Sequence, residues 1–297
     1  MKDLPLDQTM PALNAPPAFM LRETPLSSLQ GDYLIHPSAL IHPSAKIAKD
    51  VVIGPFSIIE GDVSISRGCI IAPYVQIKGH TTIGEGNHFF QGCIVGESAQ
   101  SKFSHNPRPM LEIGNHNVFR EHMTMHGSMY EGQATRIGSH NFLMAHSHIG
   151  HDCIVGDHIV FSNYMGLSGH VLVEDYAFVS GLSGVHQFGR VGGYAMVGGV
   201  SKIAKDVPPF MMTDGNPAAV VGLNIRGMKR AGFSEKELRA IKGAYKILYR
   251  SNLLVSDAIK SIEDEFLPTL DDPQARKRIE HLLRFCKETK RGVMAAG

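Results

Sequence analysis

Residues 137–202 read, in consecutive blocks of six, IGSHNF LMAHSH IGHDCI VGDHIV FSNYMG LSGHVL VEDYAF VSGLSG VHQFGR VGGYAM VGGVSK. Every block opens on Ile, Leu, Val or Phe. A period of six is neither the 3.6 of a helix nor the simple alternation of a strand. It fits a short strand plus a tight turn, three of which close one triangular coil. The first side chain of each block then points inward and stacks on its counterparts in neighbouring coils.

The same frame extends back to Ile35 and on to Ile203. Of its 29 positions, 26 are Ile, Val, Leu, Met or Phe, and Ser101, Pro107 and Glu131 break it. Such residues make up roughly a third of ordinary chains, so chance would supply about ten. Gly often follows the repeat residue, as at Gly54, Gly84, Gly114, Gly138, Gly150 and Gly192. The predicted fold is an all-β left-handed parallel β-helix (a hexapeptide-repeat solenoid) over residues 35–205. Residues 100–111 and 127–136, polar and marked by Pro or Gly, are expected to be loops thrown out from the coils, where binding groups usually sit.

Residues 1–34 are Pro-rich and aperiodic and are expected to form a flexible or surface-draped extension. Residues 206–297 are expected to form a helical domain. DVPPF (206–210) and DGNPA (214–218) read as turns. Ser234 and Glu237 form a capping box for a helix through about Arg250, with Leu238, Ile241, Tyr245 and Leu248 on its apolar face. Further helices are expected near 255–266 and 273–290.

Composition narrows the function. The chain has 297 residues, 43% hydrophobic and 19% charged, with a formal net charge of +1. That balance argues against a wholesale nucleic-acid binder and against global disorder. Residues 221–297 carry 16 Lys/Arg and 10 Asp/Glu, a net of +6, so the remainder carries −5. A basic helical domain suits an acidic protein partner or a diphosphate; an ordinary solvated helix surface gives the same count. No run of 18 apolar residues occurs, so no integral membrane segment is expected. The start of the chain does not read as a signal peptide. Cys69, Cys93, Cys153 and Cys286 lack CxxC spacing and read as reduced thiols of a cytoplasmic protein. A three-sided coil is suited to a closed homotrimer, with ligands bound between neighbours.

Histidine is abundant, at 16 residues. His151, His170 and His186 follow Ile149, Leu167 and Val185 by two, three and one positions, so they are expected along one side of three successive coils. Asp152 beside His151 can fix an imidazole tautomer and stabilise an imidazolium. His151 is therefore the expected general base for a hydroxyl attacking an acyl carbonyl. Gly169, just before His170, offers a free backbone N–H for an oxyanion. No Ser or Cys pairs with His151 as a nucleophile, which favours direct attack by a substrate hydroxyl. Three imidazoles could instead hold zinc, as in gamma-class carbonic anhydrases. A non-catalytic hexapeptide binding protein is a third reading.

One set of stretches carries a family likeness. They are His148-Ile-Gly-His151-Asp152-Cys153, Leu167-Ser-Gly-His170-Val, Val185-His186-Gln187-Phe188, Met196-Val-Gly-Gly199, Asp206-Val-Pro-Pro209, Gly215-Asn-Pro and Asn224-Ile-Arg-Gly-Met-Lys-Arg230-Ala-Gly-Phe233. Through them the chain resembles the acyl-carrier-protein-dependent UDP-N-acetylglucosamine O-acyltransferases that open lipid A biosynthesis. The likeness covers roughly residues 35–290. It implies a homotrimer that moves a (3-hydroxy)acyl chain from acyl-carrier protein to the sugar 3-position, with the carrier's phosphopantetheine as co-substrate and no cofactor or metal. It also implies His151 as base, Asp152 as its orienting partner and Gly169 as oxyanion donor. His148, His170, His186 and Gln187 would line the sugar and acyl site. Gln100 and Lys102 would contact the sugar, Asn224 and Arg230 the nucleotide. Gly199, with Met196 nearby, would mark the end of the acyl chain.

Three departures cluster at the nucleotide-sugar positions. The family's Gln-Asp-Leu-Lys is here Gln100-Ser101-Lys102-Phe103, so Ser101 replaces an acid and Phe103 a lysine, with Lys102 as substitute. Its Ile-His-Arg-Gly is Met125-His126-Gly127-Ser128. In the tail, Arg226 replaces a Glu and Ala231 an Arg. They leave a 3-amino UDP-sugar open as an alternative acceptor.

Overall fold

The structure, a computed structural model, describes residues 34–297. The reading of 1–34 as an extension lies outside the described residues except for Leu34. From Leu40 to Ile203 the chain winds through parallel strands of mostly two residues, which line up as three sheets of a left-handed β-helix. The inward rows are the hexad-opening residues. On one face Ile53, Ile71, Phe89, Phe119, Leu143, Phe161, Val179 and Val197 stack with 0–1% exposure.

Paired strands are normally 18 residues apart, as in Gln76 with Ile94. The spacing jumps to 30 between Ile94 and Thr124, then to 24 between Thr124 and His148. The two inserts are thus multiples of six, so the apolar frame survives them. Both loops are shorter than expected: strands Met110–Ile113 and Ala134–Ile137 take back Met110, Leu111, Ala134, Thr135 and Arg136. Their extra pairing along the coil outcompetes the polar composition read as loop.

The corners explain much of the histidine. Non-glycine residues there sit in the left-handed region, among them His116, His140, His158, Tyr176 and Tyr194 at φ 56–61°. That conformation costs an L-residue energy. Ring stacking across coils offsets it: His116, His140, His158, Tyr176 and Tyr194 form a ladder with centroids 4.6–5.3 Å apart.

Beyond Ile203 the turn segments join an antiparallel hairpin, Met211–Gly215 with Ala218–Leu223, that extends one sheet. Four helices follow: α1 (Ile225–Arg230), α2 (Glu235–Arg250), α3 (Val255–Ser261, continued by π and 3-10 turns to Thr269) and α4 (Pro273–Lys287). The capping box at Ser234 and Glu237 is present. Leu238, Ile241 and Leu248 are buried as expected, with Tyr245 half-buried. Helix α4 is tied to the coils by His281 Nε2 against Glu174 Oε2 at 2.8 Å and by Arg190, which donates to the Phe285 carbonyl at 3.1 Å. All four cysteines are buried and free. No helix among the described residues is long and apolar enough to cross a membrane.

Candidate active site

His151 and Asp152 occupy the corner after strand His148–Ile149, where Asp152 adopts φ 59°. A short polar side chain bears that geometry better than most. The His151 Nδ1–H donates to Asp152 Oδ2 at 2.7 Å, and His151 is 8% exposed. This bond leaves Nε2 as the basic nitrogen, with no hydrogen-bond partner among the described residues.

Asp152 is held from three further directions. Ser128 Oγ–H donates to Asp152 Oδ1, and the Met129 N–H donates to Oδ2 at 3.2 Å. The Asp152 N–H donates to Thr135 Oγ1 at 2.7 Å. The second loop therefore folds back to orient the acid, and Ser128, fully buried, is a contact of the candidate site that the sequence reading missed. Ser128→Ala should leave a folded protein whose kcat falls by the equivalent of about 1.5–3 kcal/mol of transition-state stabilisation, the range for one hydrogen bond to a charged group. Ser128→Thr should restore part of it. A wild-type kcat in Ser128→Ala would remove this residue from the orienting set.

Gly169 lies against the imidazole. A Cβ there would sit 2.4 Å from His151 Cε1 and 2.5 Å from Nε2. Its N–H donates to no acceptor among the described residues, so a free donor stands beside the imidazole. Cys153 is fully buried and burial pushes its thiol up to about 12, so it supplies no thiolate.

The expected histidine column is redrawn by the 18-residue coil. His151 aligns with Gly169 and Gln187, Asp152 with His170 and Phe188, and Gly150 with Ser168 and His186. His170 stands edge-on to His151 at 5.1 Å, stacks on Phe188 at 4.6 Å and places Nε2 3.8 Å from Asp152 Oδ2. Burial, then His151, lowers its pKa against the pull of Asp152. His186 is exposed and its Nδ1–H turns back to the Gln187 carbonyl at 3.1 Å.

A cleft of about 440 Å³ opens above this group. Gln100, His126, His148, His151, Gly169 and Gln187 line it, with Gly166 and Gly184. His148 shares a hydrogen bond with Thr124 Oγ1 at 2.8 Å. Burial, reinforced by His126 and His151, pushes it down to about 4, so it is neutral at physiological pH. His126, 4% exposed and overlooked as a lining residue, donates from Nδ1 to the Ser98 carbonyl at 2.6 Å.

The remaining expected residues do not reach the cleft of this chain. Lys102 is exposed in the first loop, and Gly199 at a corner where an added Cβ would meet only the Gly181 carbonyl within 4 Å. Met196 sits on another sheet, in register with Met212. Asn224 caps α1 by accepting from the Gly227 N–H and donates to the Tyr194 carbonyl at 2.9 Å. Arg230 is exposed in the last turn of α1.

Among the described residues one group has metal-ligand spacing: His151, Asp152 and His170, with ligand atoms within 4.8 Å of one another. Its His151–Asp152 hydrogen bond already commits two of those atoms to fixing a tautomer.

Residues 206–294 match the family described as UDP-N-acetylglucosamine O-acyltransferase, domain 2. An acyl-(acyl-carrier-protein)–UDP-N-acetylglucosamine O-acyltransferase of Thiobacillus denitrificans is 43% identical over 88% of this chain and 98% of its own. The solved LpxA structure from Acinetobacter baumannii is 44% identical with TM-score 0.82, covering 88% of this chain and all (100%) of that one. The UDP-N-acetylglucosamine acyltransferase of Francisella novicida is 34% identical, also with TM-score 0.82, over 88% of this chain and 94% of that one.

Proposed function

The chain belongs to the acyl-(acyl-carrier-protein)–UDP-N-acetylglucosamine O-acyltransferases, and on that premise we propose that His151 is the base that drives its reaction. The enzyme moves an acyl chain from acyl-carrier protein to UDP-N-acetylglucosamine, in lipid A synthesis. The zinc and binding-protein readings are not favoured by this kinship, nor is a 3-amino acceptor.

The observation that carries the mechanism is the His151 Nδ1–Asp152 bond at 2.7 Å beside a free Gly169 N–H. His151 Nε2 takes the proton of the sugar 3-hydroxyl as its oxygen attacks the thioester carbonyl. The oxyanion that forms accepts from the Gly169 N–H. The intermediate collapses, the C–S bond breaks, and the imidazolium returns its proton to the departing thiolate. Neutral His148 and Gln187 orient the sugar by hydrogen bonds. Asp152 holds the tautomer and stabilises the imidazolium.

The assembly is a cytoplasmic homotrimer in this reading. Lys102, His186 and Arg230, which stand away from the cleft of their own chain, would meet it from a neighbour. Gly199 would mark the end of the acyl path, so Gly199→Met should shift preference toward shorter donors; an unchanged donor profile would place the chain end elsewhere.

The function itself is tested by incubating the protein with 3-hydroxyacyl carrier protein and either UDP-N-acetylglucosamine or its 3-amino analogue. A hydroxylamine-labile acyl ester on the first sugar is expected. An acyl amide made faster on the second would reassign the acceptor.

A further inference from the structure

We propose that Thr124 is a positioning residue that fixes His148 with its proton on Nε2, so that the cleft's imidazoles meet the sugar as two acceptors and one donor. This deepens the acyl-transfer reading and rests on it.

His126, His148 and His151 line one cleft, and burial keeps His148 neutral, with its pKa down to about 4. A neutral imidazole carries one N–H and one lone pair, and the partner of Nδ1 decides which of them is left at Nε2. His151 Nδ1 faces the Asp152 carboxylate at 2.7 Å, and His126 Nδ1 faces the Ser98 carbonyl at 2.6 Å. Both partners can only accept. Nδ1 therefore holds the proton in both rings, and both Nε2 atoms are lone-pair acceptors. His148 differs. Its Nδ1 faces a hydroxyl, Thr124 Oγ1 at 2.8 Å, which can donate or accept.

The strand register decides the direction of that bond. Along the outward row of the catalytic sheet Thr124 stands between Ile94 and His148, and Gly166 follows. Ile94 offers no acceptor and Gly166 no side chain. Thr124 Oγ1 has no second partner among the described residues. With the proton on His148 Nδ1, the hydroxyl hydrogen would have no acceptor in the row. With it on Nε2, Oγ1–H donates to Nδ1 and only a lone pair goes unused. A stranded donor costs more than an underused acceptor. His148 Nε2, which bonds to no other described group, then stands open as an N–H.

The outer partners thus write a hydrogen-bond code into rings of one residue type. His151 Nε2 takes the proton of the reacting hydroxyl, His126 Nε2 accepts from a second hydroxyl, and His148 Nε2–H requires an oxygen that accepts. A group that only donates, such as a protonated amine, would be refused at the third point.

Neutron diffraction from the perdeuterated protein at neutral pH locates the protons directly. Deuterium is expected on His148 Nε2 and on Thr124 Oγ1 directed at Nδ1, with His126 and His151 carrying theirs on Nδ1. Deuterium on His148 Nδ1 would overturn the proposal whatever the variants do. Kinetics test the use of the bond. Thr124→Val keeps the shape of the side chain and removes the hydroxyl. It should raise KM for UDP-N-acetylglucosamine about 2–10-fold, the scale of one net hydrogen bond. Its kcat and its KM for the acyl-carrier-protein donor should change little, as for lost sugar binding without lost chemistry. Thr124→Ser should restore the wild-type value. In a His148→Ala background Thr124→Val should cost nothing further, because its effect runs through that ring. A wild-type sugar KM in Thr124→Val, a loss confined to kcat, or the same loss with and without His148 would overturn the positioning role. A wild type that acylates no sugar would instead overturn the acyl-transfer reading, and the neutron result is independent of that failure.

Discussion

His151→Ala lowers kcat about 10²–10⁴-fold while leaving assembly and thermal midpoint close to wild type, the span associated with removing one general base. The fold does not lean on this ring. The backbone contacts of the coil at that point, such as the His170 N–H to the His151 carbonyl at 2.9 Å, survive truncation. What the variant loses is the nitrogen that receives the acceptor's proton. Asp152 keeps its bonds from Ser128 and Met129, so the carboxylate is not stranded in the dry corner. Steady-state kinetics beside a melting curve check this, and turnover within a factor of a few of wild type would take the base role away from His151.

Gly169→Ala is expected to cost about 10²-fold in turnover, and the cause separates two ideas about this residue. Alanine keeps the backbone N–H, so the oxyanion donor is still present. The added methyl would lie 2.4–2.5 Å from the His151 ring, which real contacts do not tolerate. The imidazole must move or give up its alignment with Asp152, and a displacement of about 1 Å at a catalytic group is worth roughly 10² in rate. Gly169 has no positive φ, so backbone strain does not cloud the result. A variant with intact melting and wild-type kcat would mean that the ring sits elsewhere during catalysis.

The fold was legible because its signal is redundant. Twenty-six inward residues repeat one instruction, and inserts in multiples of six leave the phase intact. The His151–Asp152 pair was equally legible, since adjacency in sequence at a corner becomes contact in space. Histidine as a class misled, because His116, His140 and His158 stack for the sake of the corners they occupy. His186 was grouped with His151 by an approximate column, although the coil's strict 18-residue step sets it beside Ser168 instead.

Ser128 and Thr135 were out of reach for a different reason. They meet Asp152 from 24 and 17 residues away, across an insert whose path no local pattern specifies. The weak available clue was a short polar residue one coil plus one insert upstream. The hairpin Met211–Leu223 could have been read, since DGNP flanked by apolar runs is a hairpin signature. A family motif names Asn224 as a ligand contact but does not show the bonds its amide makes within the chain, one at each end, which position it at the start of α1.

The claim on which the account stands is that the acyl group passes directly from the carrier thioester to the sugar hydroxyl, with an imidazole as base and no covalent acyl-enzyme. Acid-quenched intact-mass measurement of the wild-type protein during turnover tests it, with carrier thiol counted in the same samples. With acyl-carrier protein alone, no acyl mass should appear on the chain and no thiol should be released beyond background. With UDP-N-acetylglucosamine added, one thiol should appear for each acylated sugar. An acyl adduct on the protein, or thiol released at the catalytic rate without the sugar, would contradict it.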